Sequence, residues 1–292
     1  MSSFPPPTTA PAGWYPDPYG GGSRYFDGRA WAPLGPVFEE REAHPTLPLA
    51  AAVGALAILA ASLIVGRALG AWLDDYDWPT LVFVVLSTTI GYGPSVAWCL
   101  YVRRRWGGGE LGTLGWRFRV SDIGWGPLTY LASFGVEIGL GALMVALDVP
   151  FTSNIDDVSD LKVDRVYLVS MLVVIVIVAP LIEELIFRGV VLRGLLSRMG
   201  PALAIALQGV LFGCAHIDPA RGVGNIGLAI LLSGVGIALG VSAYLLRRIG
   251  ATVVAHAILN GIAMLLVLSG WLDDVDTELD VVVRTLVHVW PG

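Results

Sequence analysis

Seven runs of about twenty mainly apolar residues recur along this chain of 292 residues, at roughly 48–72, 79–102, 124–147, 166–187, 201–217, 226–246 and 252–271. A run of that length is what a helix needs to cross the hydrocarbon core of a bilayer. Inside that core a helix is one of the few structures that satisfies its own backbone hydrogen bonds. The expected fold class is therefore all-α, a polytopic transmembrane helical bundle of about seven spans. Composition agrees, since 55% of the residues are hydrophobic, 14% are charged and the mean hydropathy is +0.71, outside the range of an ordinary soluble domain. The first run is not a cleavable signal peptide, because about forty-five polar, Pro- and Gly-rich residues precede it without a short basic start.

The net charge of −6 conceals a separation of signs. Basic residues gather at Arg24, Arg29 and Arg41; at Arg103, Arg104, Arg105, Arg117 and Arg119; at Arg188, Arg193 and Arg198; and at Arg247 and Arg248. The alternate connections are acidic, with Asp74, Asp75 and Asp77, then Asp156, Asp157, Asp160 and Asp164, then Asp273, Asp274, Asp276, Glu278 and Asp280. The positive-inside rule then places the N-terminus in the cytoplasm and the C-terminus outside, in a multi-pass protein of the cell membrane. Short juxtamembrane basic groups on a chain of pI 5.2 are not a nucleic-acid footprint. Cys99 and Cys214 both lie in apolar runs, so they read as packing residues rather than as a disulfide or metal framework.

Residues 1–46 stand apart as a small cytoplasmic module and linker. Their grouped aromatic and turn residues, Gly13-Trp14-Tyr15-Pro16-Asp17-Pro18 and Arg24-Tyr25-Phe26-Asp27-Gly28-Arg29-Ala30-Trp31, suggest a β-hairpin-like fold stapled by Trp14, Tyr25, Phe26 and Trp31 around Gly20-Gly21-Gly22. A disordered tail is the alternative. The stretch resembles a short module, of unknown role, attached to many actinobacterial membrane proteins. Residues 47–164 hold the first three spans, 165–272 the remaining core, and 273–292 an acidic tail. The stretch from Gly107 to Ser121 is expected along the inner interface as a short amphipathic segment.

Three patches place acid, base and amide groups inside otherwise apolar segments: Glu183-Glu184-Leu-Ile-Phe187-Arg188, Phe212-Gly-Cys-Ala-His216 and His256-Ala-Ile-Leu-Asn260. Ionisable groups at bilayer depth are costly, so they mark a functional site by default. Glu183 and Glu184 are about 100° apart on a helix, which argues against both facing one cavity. Glu184 stands four residues before Arg188, the favourable order for an ion pair. Glu183 is then the acid free to face inward.

A turn at Met199-Gly200-Pro201 folds the chain into an antiparallel hairpin that sets Glu183 level with His216. By helical rise Glu183 lies roughly 8 Å deeper than Arg188, which is expected near the inner headgroups, and His256 lies roughly 9 Å along the last helix. His256 and Asn260, at i and i+4, share one helix face. A water between Glu183 and His216 can lose its proton to a buried carboxylate acting as general base, while His256 and the Asn260 amide can stabilise the oxyanion formed at an attacked peptide carbonyl. Pro180 bends or opens its helix. Residues 217–225 are expected as irregular chain lining a cavity, and Arg67 and Glu137 are further intramembrane charges without an assigned role.

The EExxFR, FxxxH and HxxxN patches, in this order, resemble those of the CAAX prenyl endopeptidase and bacteriocin-processing family of intramembrane proteases, over about residues 165–270. The resemblance implies an intramembrane endopeptidase acting near the cytoplasmic leaflet on a peptide or membrane-protein substrate. Glu183 and His216 would activate water, His256 and Asn260 would form the oxyanion site, and Glu184 and Arg188 would support them. The family is often labelled metalloprotease. Zinc, if used, would be held by Glu183, His216 and His256, but no His-Glu-x-x-His helix is present, and a glutamate mechanism without cofactor is the favoured expectation. A non-catalytic membrane binding or bacteriocin-immunity-type protein is the rival reading.

Overall fold

The computed structural model describes residues 11–16, 23–31, 46–73, 78–150 and 165–269. The chain divides into two units, Met1–His44 and Pro45–Gly292. The expected Gly20-Gly21-Gly22 turn, the acidic connections at 74–77 and 156–164, and the acidic tail lie outside the described residues.

In the first unit, strands β1 (Gly13–Pro16) and β2 (Ser23–Phe26) pair antiparallel, with Trp14 opposite Tyr25 and Gly13 opposite Phe26. Alternation puts Tyr15 on the same face as Phe26. There Tyr15 packs edge to face on Phe26 and Trp31, which are tilted against each other, with centroids 5.2–6.4 Å apart, and Phe26 is buried. Trp14 lies on the opposite face against Tyr25 and is 72% exposed. The staple is therefore Tyr15, Phe26 and Trp31, which corrects the expected part of Trp14 and Tyr25. Asp27 closes the following turn by accepting the Arg29 and Ala30 N–H groups at 2.7 and 2.6 Å.

The second unit is the helical bundle. Its elements are α1 (Leu49–Leu73), α2 (Thr80–Trp106), α3 (Asp122–Ala146), α4 (Arg165–Leu195), α5 (Pro201–Cys214), α6 (Asn225–Leu246) and α7 (Gly250–Ser269). Among the described residues, five helices are long and apolar enough to cross a membrane, while α5 and the Gly250–Leu266 stretch of α7 are shorter apolar helices. Large apolar side chains such as Ile64, Leu81, Leu128, Leu203 and Leu245 point outward, as they must where the surroundings are lipid tails rather than water. Cys214 is among the exposed residues, contrary to its expected packing role, whereas Cys99 is buried.

Two helices depart from the expected limits. The fourth continues to Leu195 instead of stopping near 187, and it changes pitch twice: Val174–Val178 and Leu185–Val191 are π-helical, with α-helical Ala179–Glu184 between them. Such π turns are uncommon and cluster at functional sites. The fifth stops at Cys214 rather than 217 and is followed by a 3-10 turn, Pro219–Gly224. Asn225 ties that turn down, its amide donating to the carbonyls of Asp218 and Gly222. Arg67 of α1 pairs with Asp218 at 2.5 Å.

Close helix approaches hold the core together. A Cβ on Gly236 of α6 would come 2.9 Å from the Cα and carbonyl oxygen of Gly209 in α5, so these two helices touch backbone to backbone, a packing that small residues make available within membranes. Helix α2 packs against α4, and α3 packs against α6 and α7. At one end of the bundle the stretch after α2 packs its middle against the helices. Leu114 is fully buried, Gly115 adopts a left-handed conformation, and its carbonyl accepts the Ile249 N–H at 2.9 Å. On either side of this buried point Gly108 to Glu110 and Arg117 to Ser121 are exposed. Beside it Arg248 binds Asp122, with Nε donating at 2.8 Å.

Candidate active site

The three polar patches meet. Glu183, on the α-helical stretch between the two π segments, is 4% exposed. Its Oε2 lies 3.9 Å from Nε2 of His216, just beyond the end of α5, and 3.9 Å from Nε2 of His256 on α7. Among the described residues this oxygen has no hydrogen-bond partner. A separation of 3.9 Å is too long for a direct hydrogen bond and falls in the range where a water can bridge two polar groups.

Each imidazole is fixed from behind. His216 Nδ1 is 2.7 Å from the Phe212 carbonyl, which can only accept, so Nδ1 carries a proton. His256 Nδ1 is 3.0 Å from Glu184 Oε1. In both rings Nε2 is thus the nitrogen turned to Glu183. Phe212 forms the wall beside them, with its ring 4.7 Å from that of His216 and 5.9 Å from that of His256.

Glu184 also receives Arg188, whose Nη1 donates to Oε1 at 2.7 Å. The expected i,i+4 pair is present, but two expectations about it are corrected. First, both neighbouring glutamates reach the same site. They remain about 100° apart on the helix, yet the imidazole of His256 offers nitrogens at two corners and takes one carboxylate on each. Second, Arg188 is enclosed by protein. It is 1% exposed, donates through Nη2 to the Gly236 carbonyl at 3.1 Å and lies 4.5 Å over the Phe212 ring. The longer α4 places it well inside the helix and protein replaces the expected lipid surface.

Asn260 is buried one turn beyond His256, and its amide donates to the Ile175 carbonyl at 2.8 Å. One of its two N–H groups is committed there, which the expected role as an oxyanion donor did not include. One residue escaped the sequence reading altogether. Tyr92 of α2, buried and 91 positions away from Glu183, donates its hydroxyl to Glu183 Oε1 at 2.9 Å.

The same atoms bear on a metal. Tetrahedral zinc bonds of 2.0–2.2 Å would hold ligand atoms about 3.3–3.4 Å apart, closer than the 3.9 Å between Glu183 Oε2 and either Nε2. Among the described residues no group of three or more His, Cys, Asp or Glu side chains is arranged to hold a metal ion. Holding zinc would require each imidazole nitrogen to approach the carboxylate by about 0.5 Å.

Comparison with known families gives a match to the model described as Rce1-like, type II CAAX prenyl endopeptidase Rce1-like, over residues 165–262. Residues 165–262 are similar to that family. No curated protein and no solved structure matches the chain. The Rce1-like segment holds Glu183, Glu184, Arg188, His216, His256 and Asn260, and Tyr92 lies outside it. The family supports a membrane protein of the protease class.

Proposed function

We propose that this chain is an intramembrane endopeptidase that hydrolyses a peptide bond with a water held between Glu183, His216 and His256. One observation carries this reading: a buried carboxylate oxygen lies 3.9 Å from Nε2 of two imidazoles, each oriented through its other nitrogen. A bridging water gives hydrogen bonds to lone pairs on Glu183 Oε2 and His216 Nε2. Its oxygen attacks the substrate carbonyl carbon while Glu183 takes the proton, and positioned general bases of this kind supply roughly 10²–10⁴-fold.

The oxyanion then needs donors. His256 serves when it carries both ring protons, with Glu184 as counter-ion at Nδ1 and Arg188 holding Glu184 in place. The second N–H of Asn260 is the other donor. As the tetrahedral intermediate collapses, the C–N bond breaks and Glu183 returns its proton to the leaving amine. The substrate is a peptide or a segment of a membrane protein, cut near the cytoplasmic leaflet, with the N-terminus of the enzyme in the cytoplasm and the C-terminus outside. The distribution of basic connections supports that orientation.

The test is cleavage of an internally quenched peptide library by the purified chain in detergent. The parent protein is expected to cleave members of the library, and Glu183→Ala and His216→Ala to lose that activity by at least about 10³-fold. Parent-like cleavage by both variants overturns the assignment.

A further inference from the structure

A carboxylate that exchanges a proton with a water in each turnover must present one oxygen to the water and keep the other out of the way. The last torsion of a glutamate is broad and nearly two-fold, so burial alone does not decide which oxygen faces the imidazoles. Here the decision falls to a neighbour on another helix. Tyr92 donates to Oε1 at 2.9 Å, and Oε2 is thereby left facing both Nε2 atoms.

Resting on the hydrolytic reading above, we propose that Tyr92 is a positioning residue for Glu183, holding Oε1 so that Oε2 serves as the base. Three further features support it. Tyr92 is only 5% exposed, and α2 packs directly against α4, so the phenol is held rather than free to swing. Pro94 lies within α2 two residues later, and a proline there removes a backbone hydrogen bond and bends the helix in the turn that carries the phenol. The hydroxyl also supplies a donor without a charge, so it stabilises the carboxylate and does not become a rival acid at neutral pH. The Rce1-like segment alone therefore lacks part of its own site, and α2 completes it.

The prediction separates positioning from packing. Tyr92→Phe keeps the ring and removes one oxygen. Loss of a hydrogen bond to a charged group corresponds to about a 10–100-fold fall in kcat, with KM unchanged because no substrate contact is removed. The acidic limb of the pH–rate profile should move to higher pH, since the anionic base loses a donor. The other groups facing Glu183, namely His216 from beyond α5, His256 from α7, and Glu184 and Arg188 from its own helix, are the same in the variant.

The experiment compares the parent, Tyr92→Phe and Glu183→Gln as purified full chains on the quenched peptide that the parent cleaves best. In parallel, infrared difference spectra identify the Glu183 carboxyl band as the one that Glu183→Gln abolishes. Reduced kcat, a displaced acidic limb and a shifted carboxyl band in Tyr92→Phe support the proposal. A Tyr92→Phe protein with the parent's profile and carboxyl band overturns it, even if its thermal stability falls, while inactivity of Glu183→Gln in the same assay leaves the hydrolytic reading standing. Parent-like cleavage by Glu183→Gln overturns both.

Discussion

Asn260 donates its side-chain amide to the carbonyl of Ile175 across 2.8 Å, and Pro180 is the reason that carbonyl needs a donor. In the π stretch Val174–Val178 the Ala179 N–H reaches back five residues to the Val174 carbonyl. By the same register the Ile175 carbonyl would take the N–H of residue 180, and proline has none. Within a bilayer an unsatisfied carbonyl is costly, and α7 supplies the missing partner. The proposed oxyanion donor and backbone satisfaction are thus tied to one side chain.

This relation predicts coupling between two distant substitutions. Asn260→Ala should lower stability by about 1–3 kcal/mol, the cost of leaving a buried acceptor unpaired. In a Pro180→Ala background, where residue 180 regains its N–H, the same change should cost clearly less. Unfolding of the four proteins in detergent measures the cycle, and strictly additive costs would disprove the relation.

Arg188 makes a second prediction. It holds Glu184 at 2.7 Å, the Gly236 carbonyl at 3.1 Å and the face of Phe212 at once. Arg188→Met should destabilise by about 3–5 kcal/mol, because it strands a buried carboxylate. Arg188→Lys should recover only part of this, since an ammonium cannot fork to two acceptors and stack on a ring. Thermal unfolding compares the two, and equal stability of the Lys variant and the parent would refute the forked role.

Much of this site was legible in the sequence because its chemistry is expensive. Charged and amide groups stand out in apolar runs, and the turn at Met199-Gly200 fixes the register of α4 against α5, which is why Glu183 and His216 come together as their spacing implies. What escaped detection was whatever the helical period does not encode. Glu184 reaches the site because of the shape of the imidazole, not because of its own angle on the helix. Arg188 is buried because the helix runs on to Leu195 through a π stretch that uniform rise arithmetic cannot foresee. Tyr92 gave no signal at all: its hydroxyl is one of several in α2, belongs to no motif, and has its partner 91 positions away.

The N-terminal unit carries a pH prediction of its own. The N–H groups of Ala30 and Arg29 hold the Asp27 carboxyl below the ordinary carboxylate range. Because the folded value is the depressed one, the turn gains stability from Asp27 above the unfolded value and loses it as pH falls through the folded value. Amide exchange at Arg29 and Ala30 should therefore accelerate in acid beyond its intrinsic trend, and Asp27→Asn should abolish that excess. An excess of the same size in Asp27→Asn would contradict this account.

The metal question turns on the distances around Glu183. With Oε2 3.9 Å from each Nε2, a tetrahedral zinc would require each nitrogen to move about 0.5 Å towards the carboxylate. Those movements would strain the bonds behind the rings, where His216 Nδ1 is 2.7 Å from the Phe212 carbonyl and His256 Nδ1 is 3.0 Å from Glu184. Peptide cleavage should therefore survive exhaustive dialysis against a strong zinc chelator, with metal analysis confirming removal. Loss of cleavage on chelation, restored by stoichiometric zinc, would show that the rings close around an ion and that Glu183 acts beside it rather than alone.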